Sequence, residues 1–185
     1  SYTVADEFGG SVDGTATVTF KAPSYTTIES QGKITLVRDD DTYGYAQDAQ
    51  GNKTAITYFG EHISNNMWEG WTYLAAENIN GVNSVIWRFD DPYGLYDSFW
   101  LTFYDENWAY TDSGDAGWPG DPRYGEPPDM QFYKTETNFD IDLNEDGDIG
   151  FDNKDPVRTS GSPLTYTVKT GEDFYINQWD LLDGY

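Results

Sequence analysis

Short runs of β-branched and aromatic residues, cut apart by Asn, Asp and Gly, most limit what this chain can fold into. Thr15-Ala16-Thr17-Val18-Thr19-Phe20 and Lys33-Ile34-Thr35-Leu36-Val37 alternate between apolar and polar. Lys53-Thr54-Ala55-Ile56-Thr57-Tyr58 follows the turn signal Gln50-Gly51-Asn52, and residues 83–89 follow Asn80-Gly81. Ser98-Phe99-Trp100-Leu101-Thr102-Phe103-Tyr104 is a long aromatic run, and Leu164-Thr165-Tyr166-Thr167-Val168 alternates near the end. Segments of this kind predict a mostly β, antiparallel domain. Helix is expected only as single turns, near 27–31, 74–78 and 133–140. Between Thr111 and Asp129 there is no periodicity, and a long Gly/Pro/Asp loop is expected there.

One loop carries recognisable chemistry. Asp142-Leu143-Asn144-Glu145-Asp146-Gly147-Asp148-Ile149-Gly150 puts side-chain oxygens at positions 1, 3 and 5 and a glycine at the sharp turn of position 6. Position 7 offers the Asp148 carbonyl, and Ile149 at position 8 is expected as an apolar anchor. This is the first half of an EF-hand-type loop, and a hard cation such as Ca2+ needs such a ring of oxygens. Position 12 is Asn153 rather than a bidentate Glu. Asp152 and Asp155 are the nearby carboxylates that could complete the charge. The expected metal set is Asp142, Asn144, Asp146, Asp148, Asp152 and Asp155. The bland reading is an Asp/Asn/Gly turn without metal; Asp39-Asp40-Asp41 reads first as a solvated turn, with a weak second calcium site as the alternative.

Composition agrees with a cation-dependent extracellular protein. Ten Lys and Arg against 33 Asp and Glu give a formal charge of −23. A compact chain this acidic repels itself unless cations neutralise part of the charge. That charge argues against nucleic acid and anionic membrane as partners, since both are polyanions. Aromatics at 17% argue against disorder. There is no cysteine, hence no disulfide or thiol chemistry. Neither a signal peptide nor a membrane-spanning run is present in the sequence. Ser1 reads as an internal start, so the chain is expected to be part of a longer one.

A weak repeat is visible. Glu29 precedes the turn at Ser30-Gln31-Gly32, Glu77 the turn at Asn78-Ile79-Asn80-Gly81, and Glu136 stands before Thr137-Asn138-Phe139 and the Asp142 loop. Spacings of 48 and 59 residues suggest related supersecondary units within one domain.

Three further segments complete a pattern. They are Asn66-Met67-Trp68-Glu69-Gly70-Trp71 leading into Leu74-Ala75-Ala76-Glu77, then Asp105-Glu106-Asn107-Trp108-Ala109-Tyr110, and Phe132-Tyr133-Lys134-Thr135-Glu136 running into the Asp142 loop. Together they resemble the tryptophan-rich domain of large cyanobacterial and other bacterial extracellular proteins, over about 25–150. The loop around Trp118 departs from that pattern and looks like an insertion. The resemblance implies a surface location and repeat-rich parents, but no biochemical activity. The ends are similar to cadherin-like adhesin repeats: residues 1–18 to a closing hairpin with a Gly-Gly turn, and residues 164–185 to an opening one. The expected division is 1–24 as terminal strands of one repeat, 25–155 as the tryptophan-rich domain, and 156–185 as linker and first strands of the next.

Catalysis has little support. A lone histidine, His62, makes neither a Ser/His/Asp set nor a zinc site. Among 33 acids, carboxylate pairs are always findable and carry no weight. The expectation is a non-enzymatic, calcium-stabilised structural and adhesive module at the bacterial surface. Its partners would be neighbouring repeats or other copies, joined through the strand edges of the termini into arrays or fibres. The alternative is a carbohydrate-binding module using Trp68, Trp71, Trp118 and Tyr124, with a glycan as ligand. Trp87 is expected to be buried and Trp118 accessible.

Overall fold

The computed structural model describes residues 3–65, 67–92, 98–121, 123 and 126–151, and the backbone of 2, 156–158, 165–170 and 173–178. The fold is mostly β and every strand pairing between elements is antiparallel. A terminal hairpin, β1 (Tyr2–Ala5) and β2 (Ser11–Gly14), comes first. One sheet follows in sequence order: β3 (Tyr25–Glu29), β4 (Thr35–Asp39), β5 (Gly44–Gln47) and β6 (Lys53–Ala55). A short hairpin joins β7 (Thr57–Tyr58) to β8 (Glu61–His62). The second large sheet is a meander of β9 (Trp71–Ile79), β10 (Val82–Phe89), β11 (Ser98–Tyr104) and β12 (Tyr110–Asp115). Helix α1 (Met130–Phe139) leads into the Asp142 loop. Strands β13 (Pro156–Arg158), β14 (Thr165–Thr170) and β15 (Asp173–Gln178) form a separate sheet.

The β9–β12 sheet is covered on both faces. Successive strand side chains point to opposite faces, so Val85 and Trp87 enter one core while Ile86 enters the other. The first core brings Tyr73, Val85, Trp87 and Tyr104 against Leu36 and Ala46 of the first sheet, with Ile56, Ile63 and Trp108 beside them. The second core sets Ala75, Ile86 and Leu101 against Phe132 and Phe139 of α1 and Leu143 of the loop. A register shift at Ile86/Trp87 takes the pairing from Ala75 to Tyr73 and skips Leu74. That bulge lets Ala76 and Tyr73 share the first core while Leu74 packs on the second.

Several expectations are corrected. Residues 27–31 belong largely to β3 and residues 74–78 to β9; neither forms a helical turn. Their cross-strand partners and buried faces override local propensity. The third helical expectation holds, but α1 has ten residues, not one turn. Asp129 caps it, accepting from the Phe132 N–H at 2.8 Å. Part of the aperiodic stretch is also a strand. Tyr110-Thr111-Asp112-Ser113-Gly114-Asp115 has poor strand propensity and is held by pairing with β11. Conversely, residues 15–20 form no strand; Val18 and Phe20 are exposed, with no apolar face to bury them. The hairpin expected around Gly9-Gly10 is present as β1–β2. Among the described residues no helix is long and apolar enough to cross a membrane.

Candidate cation loop and aromatic face

Helix α1 ends where the loop begins, and one side chain governs both. Asp140 stops the helix in the left-handed conformation, and its N–H donates to the Glu136 carbonyl. The Glu136 side chain is fully buried. Its Oε1 accepts from the N–H groups of Leu143 at 2.9 Å and Asn144 at 3.3 Å. Its Oε2 accepts from the Gly150 N–H at 3.1 Å. One carboxylate thus fastens the start and the end of the loop. Burial pushes its pKa above the ordinary range, while those three N–H groups pull it back and Asp146 adds to the rise. Leu143, in the second core, pins the loop to the sheet.

Within this frame the chain wraps around Asp142. Asp142 Oδ1 accepts from the Asp146 N–H at 3.2 Å, and Oδ2 from the Gly147 N–H at 2.9 Å. Asn144 Oδ1 accepts from the Asp146 N–H, and its amide donates to Asp146 Oδ2 at 2.9 Å. Asp146 Oδ1 accepts from the Asp148 N–H at 3.0 Å. Gly147 takes φ +99°, the turn expected at position 6. Gly150, at φ +74°, has no room for a side chain: a Cβ would lie 2.1 Å from Thr137 Oγ1. The side chains of Asp142, Asn144 and Asp146 are therefore drawn together by these bonds. Two carboxylates and an amide oxygen are donors suited to a hard cation.

The match is partial. Ile149 is 48% exposed, and Leu143 serves as the apolar anchor in its place. The Gly150 N–H turns in toward Glu136, leaving Ile149 outside. Asp152 and Asp155 lie outside the described residues. Among the described residues no three acidic or histidine side chains converge as a metal-binding group. Asp39 closes an ordinary turn, accepting from the Asp41 and Tyr43 N–H groups.

The three glutamates of the weak repeat share one fate: Glu29, Glu77 and Glu136 are all buried. Each accepts from backbone N–H groups at the turn it precedes or at a neighbouring one. Glu29 takes the Gln31 N–H, and Glu77 takes Ile34 at 3.0 Å and Asn78 at 3.2 Å. Gly32 lies so close to Glu77 that a Cβ there would meet Oε1 at 1.7 Å. The other Glu29 oxygen, Oε2, is buried without a hydrogen bond. Burial first, and then Glu77 and Asp140, push the Glu29 pKa up against the pull of Gln31 and Ser30. The sequence shows the repeat but not that its glutamates serve as internal acceptors.

The expected sugar-stacking residues separate. Trp68 and Trp71 join one aromatic face of the first core, each within 6 Å of the Trp100 ring. Trp118 lies elsewhere, close to the start of α1, where its carbonyl accepts from the Asp129 N–H at 3.0 Å. Trp118 is only partly exposed, so the expected accessibility is corrected: the Asp129 contact folds its loop onto the domain. Tyr124 is outside the described residues. Trp87 is fully buried as expected, and its indole N–H donates to Thr102 Oγ1 at 2.9 Å. His62 is structural here. It stacks on Tyr43, and its Nε2 donates to the Gly44 carbonyl at 2.8 Å.

A family model described as the tryptophan-rich Synechocystis species C-terminal domain matches residues 34–150. The chain belongs to this family. The match ends at Gly150, the residue whose N–H closes the loop onto Glu136. The matched region takes in β4–β6 of the first large sheet, the whole β9–β12 sheet, α1 and the loop from Asp142 to Gly150, while β3 lies before it. Comparison with curated proteins and with solved structures found no match.

Proposed function

We propose that this tryptophan-rich domain is a calcium-stabilised structural and adhesive module of a bacterial surface or extracellular repeat protein, with no catalytic role. The observation that carries the reading is the loop closed at both ends by buried Glu136, with Asp142, Asn144 and Asp146 gathered inside it. Those residues, with the Asp148 carbonyl, would hold the ion. Ca2+ would supply positive charge where oxygen donors gather in a chain of charge −23. Binding that exists only in the folded loop adds to folding stability. With two described carboxylates among the donors, affinity belongs to the weak extracellular range, Kd about 10⁻⁴–10⁻³ M.

The termini support assembly. The two-stranded β1–β2 and the three-stranded β13–β15 are small separate sheets. The edge strands of such small sheets are where a neighbouring chain or repeat could add by backbone pairing. Terbium luminescence tests the ion site, with Tb3+ standing in for Ca2+. Excitation of the aromatic rings should sensitise a Tb3+ signal that Ca2+ competes away at millimolar concentration and that Asp142→Ala removes. A signal equal in the variant would place the ion elsewhere. Deleting residues 1–20 and 164–185 should leave a folded, calcium-responsive domain that no longer associates. Unchanged association would exclude the termini as the contact.

A further inference from the structure

We propose that the aromatic face around Phe59 docks an arginine- or lysine-bearing segment of a partner protein. It lies across the β9–β12 sheet from the cation loop and does not depend on calcium.

Phe59 is the first sign. It occupies the two-residue turn of the β7–β8 hairpin with Gly60, at φ +48° and +85°. Two positive φ values define a turn that favours Asn-Gly, because a bulky side chain in the left-handed region is strained. Here the strained position carries a phenylalanine that is 78% exposed. A bulky residue here costs stability and buries little, and such strain gathers at functional positions.

The second sign is what lies behind it. Phe59 touches Tyr58 and Tyr110, with ring centroids 4.8 and 5.0 Å away. Tyr58 continues to Trp68 at 4.9 Å and Trp100 at 6.1 Å, and Trp100 to Trp71 at 5.9 Å. Each of these rings is only partly buried. They form one unbroken aromatic surface rather than scattered exposed side chains, and such patches mark binding sites.

The third sign is charge. Exposed Glu61 pairs directly across from Tyr58, and exposed Asp115 across from Trp100. Exposed Glu69 sits within the turn that the Trp71 N–H closes onto the Trp68 carbonyl. Arg88 on β10 belongs to the opposite face, paired across from Phe99, where it is tied to Asp90 and to Glu145 of the cation loop. Ring faces carry negative quadrupole potential and attract cations, guanidinium most of all. Carboxylates beside the rings would pair with the same groups. A second copy of this chain would bring like charge to the face, and a polyanion would be repelled.

The test is a fluorescence titration of the full chain with a synthetic peptide of alternating Arg and Gly, at low and at physiological salt. A neutral glucose oligomer is titrated in parallel. Phe59→Asn leaves the net charge unchanged and relieves the turn. It should weaken peptide binding at least tenfold while raising the unfolding midpoint by about 2–4 °C. Glu61→Gln with Glu69→Gln should weaken binding and flatten its salt dependence. Peptide binding untouched by Phe59→Asn would mean attraction to the overall negative charge alone, and would overturn the proposal. So would salt-independent binding of the glucose oligomer that Phe59→Asn abolishes, since that would make the face a glycan surface.

Discussion

Tryptophan and tyrosine rings close one face of the β9–β12 sheet, while a helix, a charged loop and one buried carboxylate close the other. The first face is fixed by area. Trp87 and Tyr73 are fully buried there, and their polar atoms are satisfied by Thr102 and by the Thr42 carbonyl. Burial pushes the hydroxyl pKa values of Tyr73 and Tyr104 up to about 12. The second face has a smaller apolar core, and its outer edge is a loop with few apolar groups to bury. Backbone N–H groups must find acceptors there, and Glu136 supplies them. The proposed ion would therefore act on the second face and leave the first unchanged.

The sharpest way to break the comparison is to strike the first face. Trp87→Ala removes a fully buried ring and its hydrogen bond to Thr102, and should cost about 3–5 kcal/mol, read from urea unfolding. The cost should be the same with calcium or chelator present. A calcium-dependent cost would show that the faces are not independent.

Glu136→Gln strikes the second face. An amide can accept at one end of the loop only; its NH2 then opposes an N–H at the other. The expected loss is about 1–3 kcal/mol in urea unfolding. The calcium response should shrink, while the near-ultraviolet dichroism of the aromatic face stays unchanged. A silent substitution would mean that the loop holds itself.

A smaller effect comes from pH. Glu29 has a raised pKa in the folded chain, so the folded state holds a proton more readily than the unfolded one. Stability should therefore increase as pH falls from neutral toward the ordinary glutamate value of 4.5. Relief of the net negative charge acts in the same direction. Glu29→Gln isolates the first contribution: its unfolding midpoint should climb less over that range. An identical climb in both proteins would remove Glu29 from the account and leave the effect to net charge and to Glu136, whose burial also raises its pKa.

The strands were legible where one rule sufficed. Residues 98–104 carry a strong β pattern, and β11 occupies the same span. Residues 83–89 fall within β10, whose near-continuous burial suits a strand packed on both sides. Reading failed where tertiary pairing overruled propensity, as at β12, and where alternation found no core, as at residues 15–20. The turn at Asp142–Gly147 was legible because a fixed spacing of Asp, Asn and Gly is local. Its clasp was not, because Glu136 reaches Gly150 across fourteen positions and no local spacing rule marks a glutamate as internal. The repeat of Glu29, Glu77 and Glu136 was the available signal, since a glutamate recurring before turns fits a shared backbone-acceptor role.

Thermal unfolding of the full chain in 10 mM CaCl2 and in chelator, beside Asp142→Ala, tests the account most directly. With Kd about 0.1–1 mM, 10 mM calcium should stabilise the parent chain by about 1.4–2.7 kcal/mol. For a chain of this length that raises the midpoint by roughly 3–10 °C. Asp142→Ala should unfold alike in both conditions, near the chelated parent. Equal midpoints for the parent with and without calcium would contradict the central claim that an ion completes the second face.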